Sequence, residues 1–244
     1  MTRPPTWTLL ALPSVTFAVV VAALLLVVGL PVWLVAAAAL VVAGALGLAL
    51  YRRAPTVALD TLGAEAIEPG TEPRLANVVE GLCATSGNPQ PRLYRVDAEA
   101  LNAAILGRSA DDVCLVVTTG LLAALDRLEL EAVVARLLSQ LKRGVEPATV
   151  LVSVARLATP LGLRDRILAW ALDRHSMVAV DLDAVRLTRF PPALASAYEK
   201  SAAVRPIESN PVVDHLWLLG TTSGRLRGVA HPPLTDRIDV LREL

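Results

Sequence analysis

The sequence has no excess charge of either sign: 23 basic side chains face 23 acidic ones, for a formal net charge of +0. A nucleic-acid partner therefore has no electrostatic support. Lysine is nearly missing, with two residues against 21 arginines, and Ala, Val and Leu dominate over Ile and Asn. That bias is the composition expected of a GC-rich bacterial genome. Cysteine occurs only at Cys83, in a predicted helix, and Cys114, in a predicted strand. The two could pair, but two cysteines in so long a chain are no disulfide framework and make no case for an oxidising compartment. The simpler reading is two small buried hydrophobes, which also disfavours Cys114 as a nucleophile. Histidine is confined to His175, His215 and His231. His175 is close to Met177, but no second histidine lies at metal-ligand spacing. His175 reads as a surface residue at a helix end, and His231, followed by Pro232 and Pro233, as ordering the start of the last helix. Ser139, Ser176 and Thr119 have no base at a suggestive spacing, so a hydrolytic triad could arise only by assembly in space. No internal repeat occurs.

What the chain does have is apolar length. Hydrophobic residues make up 54% of it, high for a soluble protein, and the excess sits mostly in the first 50 positions. Residues 7–30 and 32–51 carry no charge, and each is near the ~20 residues a helix needs to cross a bilayer. Only a Gly29-Leu30-Pro31 turn separates them, which predicts a tight transmembrane hairpin. Trp7, Trp33 and Tyr51 fall at the expected interfaces. The first stretch is too long for a cleaved signal, and a second span follows at once. Arg3 precedes the first span, Arg52 and Arg53 follow the second, and the loop between has no basic residue. The positive-inside rule then places residues 52–244 in the cytoplasm, at a bacterial plasma membrane. Pro13 is tolerable near a span end or marks a kink. Gly44 and Gly47 allow close helix contact.

Beyond residue 53 the pattern changes. Residues 54–73 hold Pro55, Pro69, Gly70 and Pro73 among acidic residues and read as a linker. Residues 74–86 have helical periodicity, closed by Gly87-Asn88-Pro89. Short strands are expected at 92–96 and 113–117, with another near Leu101–Ala104 and a turn at Asp111-Asp112. From Thr119 the chain is mainly helical. Residues 128–143 bear an apolar stripe at 130, 133, 134, 137, 138 and 141 and end at Gly144. Residues 148–172 predict one or two apolar helices broken near Pro160-Leu161-Gly162. Their Arg156, Arg164, Asp165 and Arg166 argue against spans and for a packed or membrane-surface position. Residues 176–188 and 192–203 predict two short helices separated at Phe190-Pro191, and a last helix starts near Leu234.

Four segments, in order, carry a resemblance: Pro91–Tyr94 through Leu101-Asn102-Ala103; Val116-Val117-Thr118-Thr119-Gly120-Leu121-Leu122; Leu128-Glu129-Leu130-Glu131-Ala132-Val133-Val134-Ala135 with Leu138-Ser139 and Gly144; and Ala179-Val180-Asp181 through Leu187-Thr188 with Pro192–Ala197. His231-Pro232-Pro233 followed by Arg237-Ile238 also fits. Together they resemble the HtpX-like family of membrane-bound zinc metalloproteases, relatives of the CAAX prenyl proteases, over most of residues 74–244. The resemblance implies an α+β, mainly helical fold, a zincin-type domain with a small sheet behind a two-helix anchor. The implied division is a hairpin at 1–53, a linker at 54–73 and a cytoplasmic metalloprotease-like domain at 74–244.

That family's chemistry needs H-E-x-x-H on a helix: two histidines hold Zn²⁺ and the glutamate is general base. A glutamate four residues before a family-typical Asp supplies the third ligand. On this resemblance Arg136 falls at the first histidine, Leu137 at the glutamate, Gln140 at the second histidine and Met177 at the third ligand, while Asp181 is retained. Arg has no lone pair for a metal, Leu takes no proton, Gln is a poor zinc ligand and Met a soft one. The expectation is no catalytic residue, no metal and no cofactor. Arg136 and Gln140 share one helix face; Arg136 either pairs with Asp181 in place of the metal or points to solvent. Leu137 extends the packing stripe.

The expected function is that of a pseudoprotease: a binding, scaffold or regulatory subunit in the membrane bilayer. Its partner would be a protein or client polypeptide, or an active relative. An extended peptide could add to a strand edge beside the old cleft. The alternatives are an active membrane metalloendopeptidase and a structural membrane protein with no client.

Overall fold

The computed structural model describes residues 5–109, 111–171, 176–222 and 233–244. Arg3, His175 and His231 lie outside the described residues. Two apolar helices open the chain, α1 (Thr6–Val27) and α2 (Val32–Leu62). Their most apolar 18-residue windows are only 11% and 6% buried. Leucine, valine and tryptophan left open to that extent cannot be the core of a soluble domain, whereas a lipid environment would satisfy them. Trp7 and Trp33 are exposed, and Tyr51 is half-buried with the Arg108 guanidinium 5.9 Å above its ring. Pro13 sits within α1 without ending it. Of the two glycines, Gly47 is the contact point: a Cβ there would meet the Ser14 hydroxyl at 3.3 Å, while Gly44 has open space.

The linker expected at 54–73 is a correction. Its first part, to Leu62, is the last turns of α2. Ala54, Pro55, Ala58, Leu59 and Leu62 recur at helical spacing and are buried, so packing against the domain holds the helix together through Pro55. A two-residue strand β1 (Glu65–Ala66) follows Gly63. The remaining elements are α3 (Pro73–Ser86), β2 (Arg92–Val96), β3 (Ala103–Gly107), β4 (Val113–Thr118), α4 (Thr119–Ala124), α5 (Arg127–Leu141), α6 (Glu146–Ala158), a 3-10 turn at Thr159–Leu161, α7 (Arg164–Ala171), α8 (Ser176–Thr188), α9 (Pro191–Ala202), a second 3-10 turn at Asp214–Leu216, and α10 (Leu234–Arg242). The fold is α+β and mainly helical, as the sequence predicts.

The sheet runs β1-β2-β4-β3, with β2 and β4 parallel and the other pairs antiparallel. Strand alternation divides the core in two. Ala103, Ile105, Val113, Leu115 and Val117 face a layer built on α3, α5 and α9. Ala104, Leu106, Cys114 and Val116 face a layer made by the end of α2 and by α6. The second layer also takes in Leu9 of α1, so the anchor and the domain share one core. Residues 148–172 are thus largely a packed layer: Val150–Ala155 are buried in α6. Both cysteines are buried and free, and burial pushes both thiols up.

Candidate functional site

The helix that carries the resemblance is α5. Its start is fixed by a capping box in which the Asp126 carboxylate accepts from the Glu129 amide at 2.9 Å and Glu129 accepts from the Asp126 amide at 2.8 Å. Glu129 also accepts from Ser196 and Lys200 of α9, both at 2.6 Å. Burial raises its pKa, but these donors outweigh that and hold it below the ordinary carboxylate value. From Glu129 to Ser139 the helix is buried almost all round, between the sheet and α3, α8 and α9. It ends where Gly144 takes a left-handed φ of 79°.

A charge on so buried a helix must find a partner. Arg136 is 2% exposed, and its Nε donates to Asp181 Oδ1 on α8 at 3.2 Å. Its Nη1 donates to Gln140 Oε1, one turn along, at 2.6 Å. Of the two outcomes left open for Arg136, pairing with Asp181 is the one the structure shows. Leu137 is fully buried in the core, extending the packing stripe. Met177 lies one turn before Asp181 on α8, half-buried, and takes no part in this network among the described residues.

Two further members have no counterpart in the sequence reading of the site. Arg237 of α10, 2% exposed, donates from Nε to Asp181 Oδ2 at 2.7 Å and from Nη2 to Oδ1 at 2.8 Å. Its Nη1 reaches the Leu218 carbonyl at 3.2 Å. Tyr198 of α9 donates to Asp181 Oδ1 at 2.8 Å and accepts from Arg237, whose guanidinium stacks 4.4 Å from the ring centre. Both were signalled in principle. Arg237 falls on the apolar face of the last helix, between Leu234, Ile238 and Leu241. A cation in such a stripe calls for a buried partner. Tyr198 lies one turn after Leu194 on a buried face, where a phenol needs an acceptor.

One carboxylate therefore faces two guanidinium groups. Burial alone would push Asp181 up, but Arg237 and Arg136 and the bonds they and Tyr198 donate hold it below the usual carboxylate range. Burial pushes the Tyr198 phenol up. The residues that converge here do not fit a zinc ion. Both Asp181 oxygens are already engaged by donors, and a divalent cation would sit among two fixed positive charges. Among the described residues no three His, Cys, Asp or Glu side chains come together as a metal cluster.

The other candidates are dispersed. Ser139 is buried in α5, and the Thr119 hydroxyl donates to Asp97 and to the Ala98 carbonyl, both at 3.1 Å. His215 is buried in the second 3-10 turn, its Nε2 2.9 Å from the Ala148 carbonyl. Ser176 begins α8. Part of the sheet edge offered for peptide addition is taken by the chain itself, at the start of the outer edge of β3. The Leu218 amide donates to the Ala103 carbonyl at 2.7 Å, and Trp217 bridges Ala104. The Asn102 side chain clasps Leu219 through bonds of 3.0 and 3.1 Å.

Comparison with known proteins agrees with this architecture. A Protease HtpX homolog from Dictyoglomus thermophilum is 33% identical over 232 residues, covering 79% of this chain and 76% of the relative. One from Tropheryma whipplei is 31% identical over 223 residues, 75% of this chain and 76% of the relative. One from Salinibacter ruber is 28% identical over 227 residues, with 80% and 82% covered. No protein-family profile matches.

Proposed function

Since the chain belongs to the HtpX family of membrane metalloprotease-like proteins, we propose that it is a member that no longer cuts. It acts instead as a membrane-anchored binding, scaffold or regulatory subunit, toward a client polypeptide, another protein or an active relative. In this reading Arg136, Leu137, Gln140 and Met177 stand at the ligand and general-base positions of the zinc chemistry. The observation that carries it is the buried Arg136–Asp181–Arg237 network. It joins α5, α8 and α10 by charge-assisted bonds, where a catalytic protease would need vacant metal ligands and room for water. Partner contact by strand addition at residues 102–104 would require displacement of the 217–219 segment.

The soluble domain lies in the cytoplasm, on the side marked by Arg52 and Arg53. Single cysteines placed at exposed positions of the domain should be labelled by an impermeant thiol reagent only after the cells are opened.

The second reading is an active metalloendopeptidase, favoured by the names of the relatives. Metal analysis and digestion of an unfolded protein substrate separate the two. The purified full chain should contain no stoichiometric zinc and leave casein intact. About one zinc per chain, the ratio a catalytic site requires, together with chelator-sensitive cleavage, would reverse the proposal. Crosslinking in membranes then tests the binding role, which a chain that yields no crosslinked protein would lack.

A further inference from the structure

Where α2 leaves its uncharged stretch, the end of α6 and the 3-10 turn after it come back against it. The two elements enclose a groove of about 410 Å³. Its walls are apolar: Leu46, Ala49, Leu50 and Val57 on α2, Leu157 and Pro160 on the other side. Leu46 lies six residues before Arg52, about 9 Å along a helix, so the groove reaches into the level of the hydrocarbon. Arg53 and Arg156 stand at its rim, and neither makes an ion pair among the described residues. Ser153, 5% exposed, lines the same groove, with its hydroxyl oxygen buried behind the surface.

Arg156 and Pro160 also line a second cavity of about 690 Å³. Thr61, Thr159 and Asn210 make that one polar, and Arg164 adds a cation already paired with Asp165 at 2.8 Å. Among the described residues Asp60 is the one carboxylate lining either space. On the same elbow Leu157, Leu163 and Trp170 are 47%, 42% and 53% exposed. Apolar side chains interleaved with arginines at this depth are the pattern of a segment lying in a bilayer interface.

We propose that this junction is a binding site for one anionic phospholipid. An acyl chain lies in the groove along α2. The phosphate rests between Arg53 and Arg156, with the headgroup over the polar cavity. The charge balance of the two spaces selects an anionic headgroup over a zwitterionic one. The walls of the groove select a lipid over a free anion. The site does not depend on whether the chain cuts. It acts on the fold, because the same α6 is buried against the sheet: a lipid here clamps the anchor to the domain.

The test uses the full chain in mild detergent, stripped of lipid. It is then offered phosphatidylglycerol or phosphatidylcholine with identical acyl chains, and retention is read by native mass spectrometry. Wild type should retain the anionic lipid about 25-fold better, since each of the two arginines near an anionic headgroup contributes on the order of a fivefold preference. R53Q/R156Q should bring the two lipids to parity. A49W, which fills the groove without touching charge, should lose both. Thermal unfolding of the lipid-free proteins checks that the variants fold; these side chains line the groove, so little change is expected. Equal retention of both lipids by wild type, or a preference untouched in R53Q/R156Q, overturns the proposal. So does displacement of the lipid by inorganic phosphate alone, which would make the junction a plain anion site.

Discussion

Asp181, 2% exposed, holds two guanidinium groups and a phenol with two oxygens. The three residues are unequal. Arg237 binds both oxygens and a carbonyl; Arg136 makes one longer bond to the carboxylate and shares itself with Gln140. Removing the carboxylate leaves two buried cations unpaired, so Asp181→Asn should destabilise the domain by about 3–5 kcal/mol. Arg136→Met leaves Asp181 paired with Arg237 and relieves the excess charge, so it should change stability by less than about 1 kcal/mol. Thermal and denaturant unfolding of the purified variants measures both. If Arg136→Met proves as costly as Asp181→Asn, the two arginines are equivalent and this ranking is wrong. The pH dependence follows from the sign of the shift. The Asp181 pKa is lower in the fold than in the unfolded chain. Its contribution is complete above the unfolded value of about 4 and lost only as pH falls through the lower folded value. Acid unfolding of wild type should therefore show a component below about pH 4 that Asp181→Asn lacks.

At the scale of elements, the turn from β4 into α4 sets where the sheet meets the helical layer. Thr118 caps α4, its hydroxyl accepting from the Leu121 amide at 3.3 Å and donating to the Ala100 carbonyl at 2.6 Å. Gly120 follows, and its amide donates to the Ala98 carbonyl at 2.9 Å. A Cβ at Gly120 would lie 2.0 Å from the Glu99 carbonyl oxygen. The obstacle is backbone, so no rotamer change relieves it. Gly120→Ala should cost about 1–3 kcal/mol through forced displacement, whereas Gly81→Ala, with open space on the exposed face of α3, should stabilise slightly. Unfolding midpoints of the pair give the comparison. The elements themselves were largely legible. α3, α5, α8, α9 and α10 follow from apolar stripes bounded by glycine or proline, β4 from a short valine-rich run and β2 from a short apolar and aromatic one. The 54–62 segment was not, because Pro55 and Asp60 mask a stripe that has meaning only once α6 lies against it. Pairing of Arg136 with Asp181 was one of two readings the sequence allowed. The roles of Arg237 and Tyr198 were not legible, since nothing local ties α10 and α9 to a carboxylate on α8.

For the whole molecule, anchor and domain are one packing unit at their junction. Ala54, Ala58, Leu59 and Leu62 of α2 share a core with α6 and the sheet. A fragment beginning at residue 64 would lose that face, and the two leucines alone represent about 3–6 kcal/mol of burial. That is a large share of an ordinary domain's stability. The 64–244 fragment should be insoluble or unfold well below one that begins at residue 50, as size-exclusion profiles and melting curves would show. Equal behaviour of the two would mean that the end of α2 contributes nothing to the domain.

The sequence by itself determined the features that depend on near neighbours. Two uncharged stretches flanked by arginine have the length and composition of a membrane hairpin, both of which are read along the chain. The side chains at 136, 137, 140 and 177 are likewise fixed by the sequence, and with them the donor and acceptor atoms each can offer, since that chemistry is local to the residue. Only the tertiary structure decided what gathers around them. Arg136, Asp181, Tyr198 and Arg237 come from four helices spread over 102 positions of the chain. No spacing rule links them, and a buried charge is satisfied by whatever the fold brings within about 3 Å of it. The same holds for the groove at the end of α2, where two arginines 103 residues apart become neighbours only because α6 turns back toward the membrane.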